Sequence, residues 1–219
     1  MSKPPAVTEA EFIRQYNPND YQRPSLTTDI LVLAYQNSKI NVLLVKRKAH
    51  PFKGRWACPG GFCEFGEQPE HSALRELKEE TNIHARWLRL LGAYGAPERD
   101  PRTHIVSLIY YTVMPFSRLR PMAGDDAGEV GWFNLHRLPR LAFDHNRICR
   151  DMRRRLQFDL LDAEFAKKFV EKGQQAQKDL LNIYRIVYGK AATPSRLKRL
   201  ERIFHGQKAA FPARVFSSL

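Results

Sequence analysis

The chain has 219 residues, of which 43% are hydrophobic, 11% aromatic and 27% charged, and its formal net charge is +13. This composition is that of a globular protein of one or two domains. No apolar run reaches the length of a bilayer-spanning helix and no signal-peptide pattern begins the chain, so we expect a cytoplasmic protein without a membrane partner. Cys58, Cys63 and Cys149 form no C-x-x-C pair and predict free thiols rather than a disulfide framework or a zinc site.

The positive charge is concentrated in the last third of the chain. Residues 1–135 contain 17 Lys or Arg against 15 Asp or Glu, whereas residues 136–219 contain 19 against 8. A basic region beside a near-neutral one indicates a polyanionic partner, with nucleic acid favoured over a membrane surface.

The first predicted elements are an arm and a β-hairpin. Residues 1–24 are polar and rich in proline, with one short helix around residues 9–16, and we interpret them as an arm that lies on the domain or on a partner subunit. Apolar, β-branched stretches at 27–35 and 40–46 flank the turn-forming residues 36–38. The pattern predicts two strands joined by a tight turn.

A basic, aromatic stretch follows the hairpin. It carries Arg47, Arg55 and Trp56 and leads into the pair Gly60 and Gly61. Cations suit phosphate and a ring suits a base, so these side chains are candidates for binding a nucleoside diphosphate. The alternative is that Trp56 belongs to the core and the cations are only solvated.

Residues 69–82 predict a helix that gathers three carboxylates. The offsets i, i+3 and i+4 place Glu76, Glu79 and Glu80 on one face, which leaves residues 73, 74 and 77 for the core. A divalent cation would relieve their mutual repulsion, because Mg²⁺ prefers oxygen ligands and is held by carboxylates, waters and substrate phosphates. The alternative is a solvated acidic face.

The spacing from Gly61 to Ile83 resembles the Nudix box. Five residues separate Gly61 from Glu67, seven more precede Arg75, and the acids follow at 76, 79 and 80. Asn82 stands where the family has glycine, a mild departure because Asn also adopts the left-handed turn that ends a helix.

The resemblance implies a fold, a reaction and a set of site residues. The fold would be an α/β/α sandwich with a mixed sheet, of class α+β, and the reaction would be hydrolysis of a nucleoside diphosphate linked to another group. Glu76, Glu79, Glu80 and the Gly60 carbonyl would bind Mg²⁺, with Mn²⁺ as the alternative ion. Glu67 and Arg75 would form an ion pair that fixes the loop against the helix.

Two predicted strands, at 85–94 and 105–114, enclose a loop dense in turn formers. The loop carries Arg99 and Arg102 and is similar to that of Nudix members acting on ADP-ribose. A long connection with clustered charges is typical of a binding loop. The candidate substrate-binding residues are therefore Arg47, Arg55, Trp56, Gly61, Arg99 and Arg102.

A polar turn at 124–131 leads into a last short strand and carries Glu129. Nudix members often use another carboxylate from this region to position water or a metal. We therefore take Glu129 as the first candidate and Glu98 as the second. Surface charge at a turn is the alternative.

The C-terminal third is predicted to be helical, with helices at 146–161, 165–172, 178–188 and 193–204. A helix, a short glycine-containing turn and a basic helix are typical of a helix-turn-helix, and residues 206–216 would form a wing. The candidate DNA-binding residues are Arg196, Lys198, Arg199, Arg202, Lys208 and Arg214. A helical appendage with solvated charges is the alternative.

Nearly the whole chain resembles the Nudix-related transcriptional regulators, with similar segments at 21–29, 99–102, 141–145 and 212–216. In those regulators a Nudix domain senses ADP-ribose or a related sugar nucleotide, and a winged helix binds operator DNA as a homodimer. The resemblance implies an arm at 1–24, a Nudix domain at 25–140 and a smaller, mainly helical winged-helix domain at 141–219 that includes a linker helix. A plain hydrolase whose basic region serves dimerisation is the alternative function. A sensor without turnover is disfavoured by the intact set of carboxylates.

Overall fold

A computed structural model describes residues 7–124 and 127–189. The predicted recognition helix, the wing and all six candidate DNA-binding residues lie outside this part of the chain. The strands are β1 (Ser25–Gln36), β2 (Lys39–Arg47), β3 (Trp56–Ala57), β4 (Gly60–Phe62), β5 (Arg89–Tyr94), β6 (Ile105–Val113) and β7 (Ala127–Asn134). The helices are α1 (Glu9–Gln15), α2 (Pro69–Thr81), α3 (His145–Asp159), α4 (Ala163–Lys167) and α5 (Ala176–Tyr188), with short 3₁₀ turns at Pro18–Asp20 and Phe116–Arg118.

The strands form one mixed sheet with β1 at its centre. β1 pairs antiparallel with β2 and β4 and parallel with β6. β5 adds to β6, while β3 and β7 both pair with β2. The predicted hairpin is confirmed, since Asn37 and Ser38 take left-handed φ values of 51° and 56° between β1 and β2. The sequence did not predict the parallel pairing of β1 with β6.

Side chains of β1 alternate between two cores, one on each face of the sheet. Ile30 and Val32 pack with Leu77 of α2. The intervening Leu31 packs on the opposite face, with Met152 of α3 and side chains of α4 and α5. A strand buried on both faces needs apolar residues at every position, which explains the continuous apolar run in β1. The sheet therefore lies between two helical layers, as predicted.

Helix α3 is fixed to the sheet by a charged network as well as by the core. Asp159 accepts hydrogen bonds from Arg155 Nε, at 2.9 Å, and from the hydroxyl of Tyr111 on β6, and Arg89 of β5 lies 3.5 Å away. Helix α4 is shorter than predicted. Helix α3 lies beyond residue 140 and still shares the core of the sheet. The domain boundary expected at residue 140 stays a prediction.

The carboxyl end of α2 is closed by a well-defined stop. Asn82 adopts the left-handed conformation, with φ of 56°, and its N–H donates to the Lys78 carbonyl at 2.8 Å. Gly124 donates to the Glu80 carbonyl at 3.1 Å, and a Cβ on this glycine would lie 1.7 Å from the Glu79 carbonyl oxygen. This loop therefore fixes the last turn of α2, which carries two of the three predicted ligands.

The predicted helix of the N-terminal arm is present as α1. Thr8 and Glu11 form a capping box at its start, but none of its residues is buried. Phe12 and Ile13 are 62% and 64% exposed. Within the described part of the chain, no helix combines the length and apolar character needed to cross a membrane.

Candidate active site

Arg75 on α2 bridges the loop that precedes the helix and the carboxylates that follow it. Its Nε and Nη2 donate to the two carboxylate oxygens of Glu67, each at 3.0 Å. Its Nη1 donates to Glu76 at 2.7 Å and to Glu79 at 3.1 Å. The predicted ion pair is thus formed. The hydrogen bond from Arg75 lowers the pKa of Glu67 to about 2, and the same contact raises the pKa of Arg75.

Glu76 lies against Gly61 of the preceding loop. A Cβ at position 61 would lie 2.4 Å from Glu76 Oε1, so only glycine leaves room for this carboxylate. Burial raises the pKa of Glu76, and the hydrogen bond from Arg75 opposes that rise. The glycine of the motif therefore serves a close approach between loop and helix.

Glu80 contacts the loop at Gly60. Its Oε2 accepts a hydrogen bond of 2.9 Å from the Gly60 N–H. Burial raises the pKa of Glu80 to about 8, and the nearby carboxylates of Glu76 and Asp29 add to the rise. Gly60 itself has φ of +154°, and a Cβ there would lie 2.2 Å from the Thr28 carbonyl oxygen. The carboxyl groups of Glu76, Glu80 and Asp29 therefore lie close together where the loop meets α2, and this crowding adds to burial in disfavouring the ionised form of Glu80.

The three carboxylates of α2 have the chemistry of a hard-cation site, although they do not form a ready-made chelate. Among residues 7–124 and 127–189, no group of three or more His, Cys, Asp or Glu side chains is arranged to hold a metal ion. Arg75 engages Glu76 and Glu79, and the Gly60 N–H engages Glu80. All donors are oxygen atoms, which suits Mg²⁺ or Mn²⁺. The residues fit such an ion when the carboxylates exchange their hydrogen bonds from Arg75 and the Gly60 N–H for contacts with it.

A pocket of about 200 Å³ opens beside the two glycines. Four of the six predicted substrate residues line it, namely Arg47, Gly61, Arg99 and Arg102. The other two do not. Trp56 packs on Phe133 with ring centres 4.6 Å apart, which is the core interpretation of this residue, and Arg55 lies 5.2 Å from the ring of Phe52.

Each arginine of the loop between β5 and β6 is held by an acid. Arg99 Nη2 lies 2.7 Å from Asp144, and its Nη1 donates to Ser107 Oγ at 2.6 Å. Arg102 Nη2 lies 2.8 Å from Asp100. Charge-assisted contacts of this kind fix the planar guanidinium in one orientation. The pocket therefore presents oriented donors before any ligand is bound.

Two phenylalanine rings complete the pocket. The guanidinium of Arg47 lies 4.9 Å from the centre of the Phe143 ring, and that of Arg102 lies 5.3 Å from the Phe62 ring. Such contacts are favourable because the ring face is electron-rich. Aromatic faces and cations thus alternate along one wall.

Sequence reasoning missed Asp29 and His145, which lie below this wall. His145 Nδ1 accepts a 2.9 Å hydrogen bond from the Cys58 N–H, and its Nε2 lies 3.7 Å from Asp29 Oδ1. Burial lowers the pKa of His145, which favours the neutral ring. Because Nδ1 accepts the Cys58 N–H, the neutral ring carries its proton on Nε2. The resemblance included residues 21–29 and 141–145, but neither segment indicated that Asp29 and His145 meet.

The two candidates for a further carboxylate lie outside the residues that line the pocket. Glu129 on β7 is 57% exposed and lies 3.1 Å from Lys46 Nζ. Glu98 is an exposed residue of the β5–β6 loop. The role assigned to either residue stays a prediction.

A family model described as the NUDIX domain matches residues 25–152. The chain is 44% identical over 134 residues to "ADP-ribose pyrophosphatase" of Methanocaldococcus jannaschii, an alignment that covers 61% of this chain and 76% of that protein. It is 30% identical over 154 residues to "ADPR responsive transcriptional repressor NtrR" of Acinetobacter baylyi, covering 68% of this chain and 61% of the repressor.

Two solved structures from Shewanella oneidensis are similar as well. The NUDIX domain of NrtR complexed with ADP ribose matches 68% of this chain and 99% of its own length, with 34% identity and a TM-score of 0.62. NrtR complexed with a 27mer DNA matches 86% of this chain and 90% of its own length, with 27% identity and a TM-score of 0.67.

Proposed function

We propose that this chain, which belongs to the Nudix family, binds and hydrolyses ADP-ribose or a similar nucleoside diphosphate sugar with Mg²⁺ or Mn²⁺. One juxtaposition carries the proposal. Glu76 and Glu80 abut Gly61 and Gly60, and the same two glycines line the pocket that contains three arginines. The relative named an ADP-ribose pyrophosphatase and the domain solved with ADP ribose support this choice of substrate.

The arginines of the pocket would bind the diphosphate. Arg99 and Arg102 are oriented by Asp144 and Asp100, so little ordering is left to be done when phosphate oxygens arrive. The guanidinium of Arg47 lies 4.9 Å from the centre of the Phe143 ring, and its charge acts on Glu80. These donors also stabilise the negative charge that develops as the bridging P–O bond breaks.

The carboxylates would hold the ion and the loop would hold the carboxylates. Glu76, Glu79, Glu80 and the Gly60 carbonyl are the ligands we assign. A divalent ion held by these ligands would supply the neutralisation of diphosphate charge and the activation of the attacking water. Arg75, locked by Glu67, orients Glu76 and Glu79 for this role. Water adds to one phosphorus and the bridging oxygen leaves, which yields a nucleoside monophosphate and a sugar phosphate.

Hydrolysis of ADP-ribose with Mg²⁺, followed by chromatography of AMP and ribose 5-phosphate, tests this function. Glu79→Gln and Glu80→Gln should each lower kcat by about 10³-fold, because each removes a charged ligand. Glu171→Gln is the matched control, since it makes the same chemical change at an exposed pair with Arg118. Wild-type rates in both site variants would exclude the assignment, and ADP-ribose binding without turnover in the wild type would identify a sensor.

We also propose that residues 141–219, which include a linker helix, contain a winged helix that binds double-stranded operator DNA as a homodimer. Similarity to NrtR complexed with DNA extends over 86% of this chain. The residues we assign to DNA contact are Arg196, Lys198, Arg199, Arg202, Lys208 and Arg214. ADP-ribose would alter the affinity for DNA through the linked domains.

Anisotropy of a labelled operator duplex, titrated at several salt concentrations, tests DNA binding. Arg199→Ala should weaken binding and lower the salt dependence by about one ion, whereas Arg118→Ala should leave both unchanged. Added ADP-ribose should shift the affinity. A chain that is dimeric by light scattering but binds no duplex at low salt would favour the alternative, a plain hydrolase whose basic region serves dimerisation.

A further inference from the structure

Helix α3 carries a second pocket that shares no lining residue with the active-site pocket. It has a volume of about 300 Å³ and lies between α3, the end of α5 and the segment before α3. Its lining includes His136, Arg150, Arg153, Arg154 and Gln157. We name it the α3 pocket.

The geometry of α3 explains why these side chains meet. Residues 150, 153, 154 and 157 follow the offsets i, i+3, i+4 and i+7, which share one helix face. Met152 and Leu156 lie on the adjoining face and are fully buried in the core. The amide of Gln157 donates to the Val187 carbonyl of α5 at 3.4 Å, which joins the two helices at the pocket.

The charge in the α3 pocket is not neutralised by the part of the chain that the structure describes. No acidic residue lines it. Arg150 and Arg153 form no ion pair with a described residue, and Arg154 lies 3.3 Å from Asp151 while 78% exposed. Residues 190–219 contain seven Lys or Arg and one Glu, so they add positive charge and supply almost no counterion.

A neighbouring pocket on the same helix gives the contrast. It has about 350 Å³ and is lined by Arg147 together with Asp144 and Asp151. One arginine and two acids line that pocket, so its lining carries no excess of positive charge. Arginine-rich composition alone therefore does not create an unneutralised pocket on α3, and the difference lies in which acids fold against each face.

We propose that the α3 pocket is a binding site for phosphate groups, supplied either by a nucleic-acid backbone or by a free phosphorylated metabolite. Arginine forks match phosphate oxygens two at a time, and several on one face create a local positive potential that attracts polyanions. Arg150 and Arg153 are the principal ligands and Arg154 adds charge. The proposal does not depend on hydrolysis at the active site or on the winged helix.

The full-length double variant Arg150→Gln/Arg153→Gln tests the proposal against Arg118→Gln. The control removes an arginine that Glu171 already neutralises at 2.7 Å. In one arm, a labelled random duplex is titrated at several salt concentrations. In the other, inorganic pyrophosphate is added with EDTA while NMR follows the side-chain N–H signals of Arg150 and Arg153, which the single glutamine variants identify. ADP-ribose hydrolysis should be unchanged in the double variant, which confirms its fold.

If the pocket binds nucleic acid, duplex affinity falls at least about tenfold in the double variant and the salt slope falls by about 2, whereas Arg118→Gln matches the wild type. If it binds a free metabolite, pyrophosphate shifts the two arginine signals but the duplex titration is unaffected. Unshifted signals together with wild-type duplex binding in the double variant would overturn the proposal. A wild type that binds no duplex removes the regulator function alone, and the NMR arm still decides the pocket.

Discussion

The active-site pocket and the α3 pocket are both lined by arginines, but the described part of the chain pairs them with acids in the first pocket only for Arg99 and Arg102 and leaves Arg150 and Arg153 of the second without an acidic partner. In the active-site pocket Arg99 and Arg102 are paired with acids at 2.7 and 2.8 Å. In the α3 pocket Arg150 and Arg153 have no acidic partner among the described residues. Paired arginines are fixed in orientation and suit one small ligand of defined shape. Arginines without an acidic partner keep their full electrostatic field and suit phosphate groups that can approach in several orientations.

The number of charged residues in a segment therefore does not identify a binding site. The arginines of the active-site pocket come from the near-neutral part of the chain, residues 1–135, and those of the α3 pocket come from the basic part, residues 136–219. What separates them is whether an acid from a distant segment folds against each guanidinium. Three predictions test how pairing with an opposite charge affects activity and stability, beginning with Arg75, which contacts three carboxylates.

The largest of these three effects, a loss of kcat, is expected for Arg75→Ala. This guanidinium orients Glu67, Glu76 and Glu79, so its loss should lower kcat for ADP-ribose hydrolysis by about 10²-fold. Steady-state kinetics with Mg²⁺ measure the change. Arg118→Ala removes an arginine from an exposed pair and should keep the wild-type rate. Equal kcat values in the two variants would mean that pairing at Arg75 does not organise the site.

A smaller effect is expected for Asp144→Asn. The Arg99 side chain is only 5% exposed, and the neutral amide no longer holds it by charge. The Michaelis constant for ADP-ribose should rise about tenfold with kcat little changed, and the free energy of unfolding should fall by about 2 kcal/mol. Kinetics and urea unfolding report the two quantities. Asp151→Asn, beside the exposed Arg154, is the control, and a Michaelis constant raised equally there would contradict the pairing.

The smallest effect concerns Glu80, which forms no ion pair with a described residue and feels only the more distant charge of Arg47. Burial raises its pKa from 4.5 to about 8 in the folded protein. As pH rises through this interval the unfolded chain loses the proton first, so the stability of the metal-free protein falls between about pH 4.5 and 8. Glu80→Gln should therefore be more stable than the wild type by about 1–2 kcal/mol at pH 8, with no difference near pH 4.

Thermal unfolding in EDTA at a series of pH values tests this prediction. Adding Mg²⁺ at pH 8 should raise the melting temperature of the wild type more than that of Glu80→Gln, because only the wild type has the full charge of the site. Glu67 provides the opposite sign, since Arg75 lowers its pKa to about 2 and its contribution is lost only as pH falls below 4.5. A pH-independent difference between wild type and Glu80→Gln would refute the burial of this carboxyl.

Local elements could be predicted because their causes lie within a few residues. Helix α2 begins at Pro69 and ends before Asn82, as the cap residues predicted, and its acids fall on one face because the helical period requires it. The hairpin of β1 and β2 followed from two apolar stretches and a turn. The free thiols were confirmed as well, since Cys58, Cys63 and Cys149 are all unpaired.

The three carboxylates of α2, the loop glycines beside them, the described helices and the longer strands could be predicted from the sequence, because each depends on near neighbours, whereas the short strands β3 and β4 were not predicted. Only the tertiary structure decided which residues face them. The parallel pairing of β1 with β6 sets the binding loop beside Asp29, α3 brings Asp144 to Arg99 across 45 residues of sequence, and Trp56 turns into the core. Such contacts join segments that are distant in sequence, and the pattern of one segment does not indicate the other. The packing of whole layers determines where they meet.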